Sequence, residues 1–312
     1  EEVGTAVVGF RSGWDRAEQL TFEEAGIRDL LRDPFNFAEM EAAAFEALHR
    51  DRPVLNQNIL AFLPAKAGGG SSTVALNTAA ALVRGQDKKV LLIESDRRSG
   101  VLSILLNLED RAGLREALEH AGTMTTVEWQ QTRAEVAGIH LLLASPGRRG
   151  PLPAWGDYYQ LLFFLQKEYD FIVVDMPEVV NDATAEIVRS ARGVFIVCEP
   201  ELPSLKLARY RCAELESCGM SRDNIHIVVN RWERGRVDVK DVEAATGCPV
   251  FTTIPNDYNH VKNAVLQSRL VHSNSPFAKG CDTLARKLGG LPETVGGRLK
   301  LALLRSLGRD SR

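Results

Sequence analysis

The stretch Pro64-Ala-Lys66-Ala-Gly68-Gly69-Gly70-Ser71-Ser72-Thr73 gathers glycines, hydroxyls and one cation between an apolar run and a helical one. Consecutive glycines let backbone N–H groups curl around an anion, and a helix starting there adds its partial positive charge, so the position suits phosphates. Ser72 then stands where a hydroxyl can ligate Mg2+. A tight turn alone would use the same glycines. Two more apolar runs end in carboxylates, Val90-Leu-Leu-Ile-Glu94-Ser95-Asp96 and Tyr169-Asp-Phe-Ile-Val-Val-Asp175. Open α/β sheets bind ligands at the carboxyl ends of their strands. A single Asp there reads as a solvated strand end, whereas two beside a glycine loop fit a water-mediated Mg2+ shell. Asn230 also ends an apolar run, where its carboxamide can offer a donor and an acceptor to a base edge or cap a turn. Pro255-Asn256-Asp257 has the same two readings, and Arg97-Arg98 reads as a solvated pair or as a contact for phosphate or a partner.

These residues need a scaffold that brings strand ends together. From Asn58 onward, short apolar runs alternate with helical stretches, the pattern of an α/β fold whose mostly parallel twisted sheet is covered by helices on both faces. The spacing predicts strands at Ile59–Leu63, Lys89–Ile93, Ile139–Leu143, Phe171–Val174, Gly193–Val197, Ile225–Val229 and Val250–Ile254. Helices are expected at Ser72–Arg84, Asp157–Glu168, Ala183–Ser190, Leu205–Cys218 and Ala278–Leu288. Ahead of them, residues 4–50 read as strand, helix, strand, helix: Thr5–Phe10, Asp15–Ala25, Ile27–Leu31 and Asn36–His49. That is half a domain, and because the chain opens almost inside a strand, further residues are expected before it in the natural protein. The expected organisation is 1–52, 55–290 and a basic tail at 291–312.

Composition narrows the function classes. The 312 residues are 45% hydrophobic and 25% charged, values of a globular chain rather than a disordered or fibrous one. With 38 Lys+Arg against 41 Asp+Glu the formal charge is -3, which argues against nucleic acid as a general partner. Cys198, Cys212, Cys218, Cys248 and Cys281 lack CxxC or metal-ligand spacing, so they read as reduced core thiols suited to a cytoplasm. No run approaches the roughly 20 apolar residues of a membrane span. In the tail, Leu299, Leu303 and Leu307 stand among Arg298, Lys300, Arg305 and Arg309, so residues 298–309 suit an anionic membrane surface or a protein groove.

The loop resembles the deviant Walker A motif of the MinD/ParA (SIMIBI) P-loop ATPases, with Lys66 at that motif's early lysine. The resemblance implies ATP and Mg2+ as cofactors, Lys66 and Gly68 to Thr73 on the phosphates, and Ser72, Asp96 and Asp175 around the metal. It implies adenine contacts for Asn230, Arg231, Pro255, Asn256 and Asp257, and a homodimer in which Lys66 reaches the neighbouring subunit's phosphates. Asp96 falls on the switch I aspartate and is the expected orienter of the attacking water, with Glu94 as the alternative. The phrases Leu142-Leu-Ala-Ser-Pro146, Glu199-Pro-Glu-Leu202, Asn230-Arg231 and Ile254-Pro-Asn-Asp-Tyr258 look like the CpaE/TadZ pilus-assembly branch. That branch implies pilus or secretion machinery as partners and a cytoplasmic position, peripheral at the inner membrane or cell pole. It also implies a receiver-like domain in front. Ala25–Phe35 resembles the last receiver strand, with Asp33 where phosphorylatable members have a lysine, so an unphosphorylated interaction domain is expected.

One departure matters. Ser71 stands where a Walker lysine normally precedes the metal-ligating hydroxyl. A charge-assisted hydrogen bond is worth roughly 1.5–3 kcal/mol, so its loss weakens nucleotide binding by about 10- to 150-fold and makes hydrolysis slow or absent. The leading expectation is an ATP-binding, dimerising localisation factor for a pilus or secretion machine. The alternatives are a cycling MinD/ParA-type ATPase and a scaffold with a vestigial pocket.

Overall fold

The computed structural model describes residues 7–35 except 28, then 40, 43, 47 and 55, and 58–291 except 112, 146–152 and 154. The chain divides into two units, Glu1–Val54 and Leu55–Arg312. In the first, β1 (Val8–Arg11) and β2 (Asp29–Arg32) pair in parallel, with α1 (Arg16–Glu24) between them in sequence. Asp15 starts α1 with a capping box: its carboxylate accepts from the Glu18 N–H at 2.8 Å, and Glu18 accepts from the Asp15 N–H at 3.2 Å. Of the expected helix at Asn36–His49, only residues 40, 43 and 47 are described, and they are helical. One parallel strand pair and one helix do not by themselves define a receiver.

The second unit holds one eight-stranded sheet. Its strands are β3 (Ile59–Pro64), β4 (Val90–Glu94), β5 (Ala134–Val136), β6 (Ile139–Leu142), β7 (Phe171–Asp175), β8 (Gly193–Cys198), β9 (Ile225–Trp232) and β10 (Val250–Pro255). They lie in the order β10-β9-β8-β3-β7-β4-β6-β5, all neighbours parallel except the β5–β6 pair. All seven expected strands form. The eighth, β5, has three residues and escapes a periodicity search; it turns back into β6 through Ala137 and Gly138, with φ of 52° and 80°.

The central strands are apolar throughout because both sheet faces are covered. Ile59, Ala61 and Leu63 point into one layer, Leu60 and Phe62 into the other. On the Leu60 side, α2 (Ser71–Gln86) packs with α11 (Pro276–Leu288). The small residues Ala75, Ala79 and Ala80 let α2 sit close against the strands, which fixes where its first turn lies. On the other side, α6 (Trp155–Leu165) packs with α7 (Asp182–Ser190), followed along the chain by α8 (Leu202–Ser217). Cys198, Cys212, Cys248 and Cys281 are buried in these layers.

Five helices were not expected: α3 (Leu102–Leu105), α4 (Leu114–Glu119), α5 (Thr126–Thr132), α9 (Val239–Thr246) and α10 (Tyr258–Leu266). They are short, and α10 buries only Ala264, so no apolar stripe announces it. Leu92, fully buried at mid-strand, tests the layer arrangement. Leu92→Ala is expected to cost about 2–5 kcal/mol in urea denaturation, with the denaturant slope unchanged.

Candidate functional site

Six neighbouring strands deliver their carboxyl ends to one edge. In spatial order they carry Pro255 to Asp257 (β10), Asn230 and Arg231 (β9), Glu199 (β8), the glycine loop (β3), Asp175 (β7) and Glu94 to Asp96 (β4). The parallel register aligns these ends: Phe62 and Glu94 both sit opposite Asp175, and Pro64 sits opposite Val197.

The loop is built for close approach. Gly68 and Gly70 have φ of 78° and 86°, a region that L side chains rarely adopt, and a Cβ on Gly70 would stand 2.5 Å from Asn230 Nδ2. Gly70 is also the N-cap of α2; no side chain caps that end, and no acidic residue lies in its first turn. The N–H groups of that turn therefore face the loop without a protein side chain to receive them, the arrangement that attracts an anion. Asn230, buried, donates from Nδ2 to Gly69 O at 2.9 Å. Arg231, with φ of 54°, donates from Nη2 to Gly68 O at 3.1 Å. These two side chains fasten the outer rim of the loop to β9.

Lys66 turns inward. Its Nζ lies 2.6 Å from Oε2 of Glu199, whose other oxygen pairs with Arg231, and the Glu199 side chain is only 3% exposed. The Ala67 N–H donates to Glu178 Oε2 at 3.0 Å, and Arg211 stands 3.6 Å from that carboxylate's other oxygen. Neither glutamate was expected at the loop; both lie just past apolar strands, the same signal that pointed to Asp175.

Beneath the start of α2, Asp175 is buried, and burial pushes its pKa up to about 8 despite a hydrogen bond from Ser72. Its Oδ1 and the Ser71 hydroxyl have no hydrogen-bond partner. Glu94 is raised to about 7, again by burial, against amide donors that include Leu102 at 2.6 Å and Ala144 at 3.0 Å. With both oxygens engaged by the backbone, Glu94 braces the strand ends and does not reach toward the loop. Asp96 spends Oδ1 on the N–H groups of Arg98 and Ser99, at 3.0 and 2.8 Å, and its charge adds to the upward shift of Asp175.

A cavity of about 280 Å³ opens beside the loop, lined by Gly70, Thr73, Asn230, Arg231 and Pro255 to Asp257. Its apolar wall comes from Tyr258, which ends the phrase Ile254-Pro-Asn-Asp-Tyr258, and from Val261, Val265 and Leu266 on α10 and Phe277, which the sequence does not single out. Asn256 donates to Glu233 at 2.7 Å, while Asp257 pairs with His260 at 2.7 Å and accepts from the Phe277 N–H at 3.3 Å. These two residues shape the cavity by tying β10 to β9, α10 and α11. That wall bounds the cavity on one side and Asn230 with the first turn of α2 bounds it on the other.

The residues present fit Mg2+ and a nucleoside phosphate. The uncapped helix start suits phosphate, and the orphaned Asp175 Oδ1 and Ser71 hydroxyl are polar atoms that a hydrated cation or phosphate would satisfy. Among the described residues no three His, Cys, Asp or Glu side chains converge to chelate a metal, so an ion at Ser72, Asp96 and Asp175 would take the rest of its shell from water and phosphate.

The fold is similar to that of MinD and ParA proteins. The chain is 25% identical to the septum site-determining protein MinD of Thermotoga maritima over 241 residues, 75% of this chain and 88% of that protein. Its fold matches a ParA family ATPase from Chlorobium tepidum with a TM-score of 0.63 at 22% identity, covering 73% of this chain and 98% of that one. It also matches MinD from Pyrococcus horikoshii, solved with Mg-ADP, with a TM-score of 0.56 at 20% identity, covering 77% and 98%. No protein-family model matches.

The raised carboxyls make a pH prediction. Asp175 and Glu94 bind protons more tightly folded than unfolded, so between about pH 4 and 8 the folded state holds the extra protons and their contribution to stability falls as pH rises. In magnesium-free buffer the urea midpoint is expected to be lower at pH 8 than at pH 5.5, and Asp175→Asn to shrink that difference.

Proposed function

We propose that this chain binds ATP with Mg2+ at the glycine loop and that the bound nucleotide drives two copies together, in a positioning role of the MinD/ParA kind. The observation that carries this reading is the uncapped start of α2 behind Gly68, Gly69 and Gly70, set over the orphaned Asp175 and Ser71 atoms and beside a base-sized cavity. The loop N–H groups would hold phosphate oxygens, and Ser72 and Asp175 would hold Mg2+ directly or through water. Mg2+ would supply charge neutralisation on the phosphates. Asp96 stands at the neighbouring strand end as the candidate orienter of water, and Lys66 as the candidate contact between subunits.

The MinD and ParA likenesses favour a cycling ATPase that positions a cell structure. A second reading, a nucleotide-stabilised assembly factor of the CpaE/TadZ pilus kind with little turnover, is favoured by Ser71 at the Walker lysine position and by the short sequence phrases alone. Steady phosphate release stimulated by a partner or lipid selects the first; a dimer without turnover selects the second. No described helix is long and apolar enough to cross a membrane, and segment 298–309 lies outside the described residues. Its contact with anionic membrane is part of the proposal, and vesicle co-sedimentation with and without residues 296–312 checks it.

Ser71→Lys is expected to tighten Mg-ATP binding by about 10- to 150-fold in calorimetry. Lys66→Ala is expected to abolish ATP-dependent dimers in light scattering. A monomer fraction indifferent to both ATP and Lys66 would refute the nucleotide-driven dimer.

A further inference from the structure

The loop carries an unusual charge arrangement. Its normal cation position is Ser71, and its remaining lysine, Lys66, is already paired within the chain at 2.6 Å. The partner, Glu199, is almost wholly buried and binds Arg231 as well, so one carboxylate occupies both cations that flank the loop. A second carboxylate, Glu178, accepts the Ala67 N–H, one of the amides of the loop itself. The two acids arrive from different strand ends, β8 and β7, on either side of β3. Together they put internal oxyanions on the groups that a phosphate would use.

We infer that Glu199 and Glu178 are built-in counter-anions of the phosphate loop, which a nucleotide must displace before Lys66 and Arg231 can meet its phosphates. This rests on the reading of the loop as a phosphate site. Electrostatics gives the direction. A buried carboxylate held between two cations cancels part of their field, and its own charge repels an arriving polyphosphate across a few ångströms of poorly screened protein. With the counter-anions in place, Lys66, Arg231 and the Ala67 N–H are satisfied without ligand, so nucleotide affinity is held down. Glu199 is therefore a positioning residue: it sets whether Lys66 faces its own chain or a triphosphate. Its backbone is independently fixed, since the Glu199 N–H donates to the Ser204 hydroxyl at 2.9 Å, so neutralising the side chain leaves the main chain anchored.

The test pairs a nucleotide-free readout with a binding readout. In the nucleotide-free chain, brief acetic anhydride labelling read by mass spectrometry reports how freely Lys66 reacts, with exposed Lys206 as internal control. Glu199→Gln is expected to speed labelling of Lys66 about tenfold without changing Lys206. In calorimetry, Glu199→Gln is expected to tighten Mg-ATP and inorganic triphosphate by about tenfold, and Glu178→Gln by a smaller factor in the same direction. Glu199→Asn gives the same readouts if the glutamine chain does not fold. Equal labelling rates, or weaker binding after neutralisation of Glu199, would overturn the counter-anion role. If instead labelling rises as expected while neither the native chain nor any variant binds either polyphosphate, the phosphate-site reading fails and the Lys66–Glu199 pairing stands.

Discussion

The free first turn of α2 is the constraint on which the rest depends. A helix start leaves N–H groups without acceptors, and proteins normally cap them with Ser, Thr, Asp or Asn. Here the cap is Gly70, in a left-handed conformation and pressed against Asn230, so no side chain can enter. That geometry holds only because β3 runs buried through the middle of the sheet and α2 returns over it on a row of alanines. Neighbours on both sides turn the free helix end into a site: buried Asp175 at its base, buried Asn230 and exposed Arg231 on its rim.

A second constraint is charge. Three carboxyls, Asp175, Glu94 and Glu199, are buried around one loop, and each is handled differently. Glu94 is satisfied by backbone amides and serves as a brace. Glu199 is satisfied by Lys66 and Arg231. Asp175 keeps an oxygen without a partner while burial pushes its pKa up to about 8, which marks it as the group awaiting a ligand. A chain that needed only stability would gain by replacing such a carboxyl with an apolar side chain.

Much of this was legible in the residues. Fully buried parallel strands are continuous apolar runs, so all seven were found, and the acids that end them marked the ligand-binding edge. Gly68 to Gly70 announced the loop because few other uses need three glycines before a helix. What was not legible had no periodic signature. The cavity wall on α10 is mostly exposed without a ligand, so Val265 and Leu266 resemble surface positions. The motif position of Lys66 implies a reach to the neighbouring subunit's phosphates and says nothing of its pairing with Glu199, 133 positions away in sequence and brought next to it by the β3–β8 pairing. Partner choice across a sheet is a tertiary fact, and charge type alone does not reveal it.

The most direct measurement is a crystal structure of the intact chain grown with Mg2+ and a non-hydrolysable ATP analogue at millimolar concentration. A triphosphate is expected against the N–H groups of Gly70 to Thr73, with the base between Asn230 and the α10 wall and Lys66 released from Glu199. A loop empty of phosphate, with Lys66 still on Glu199 under saturating analogue, would contradict that expectation.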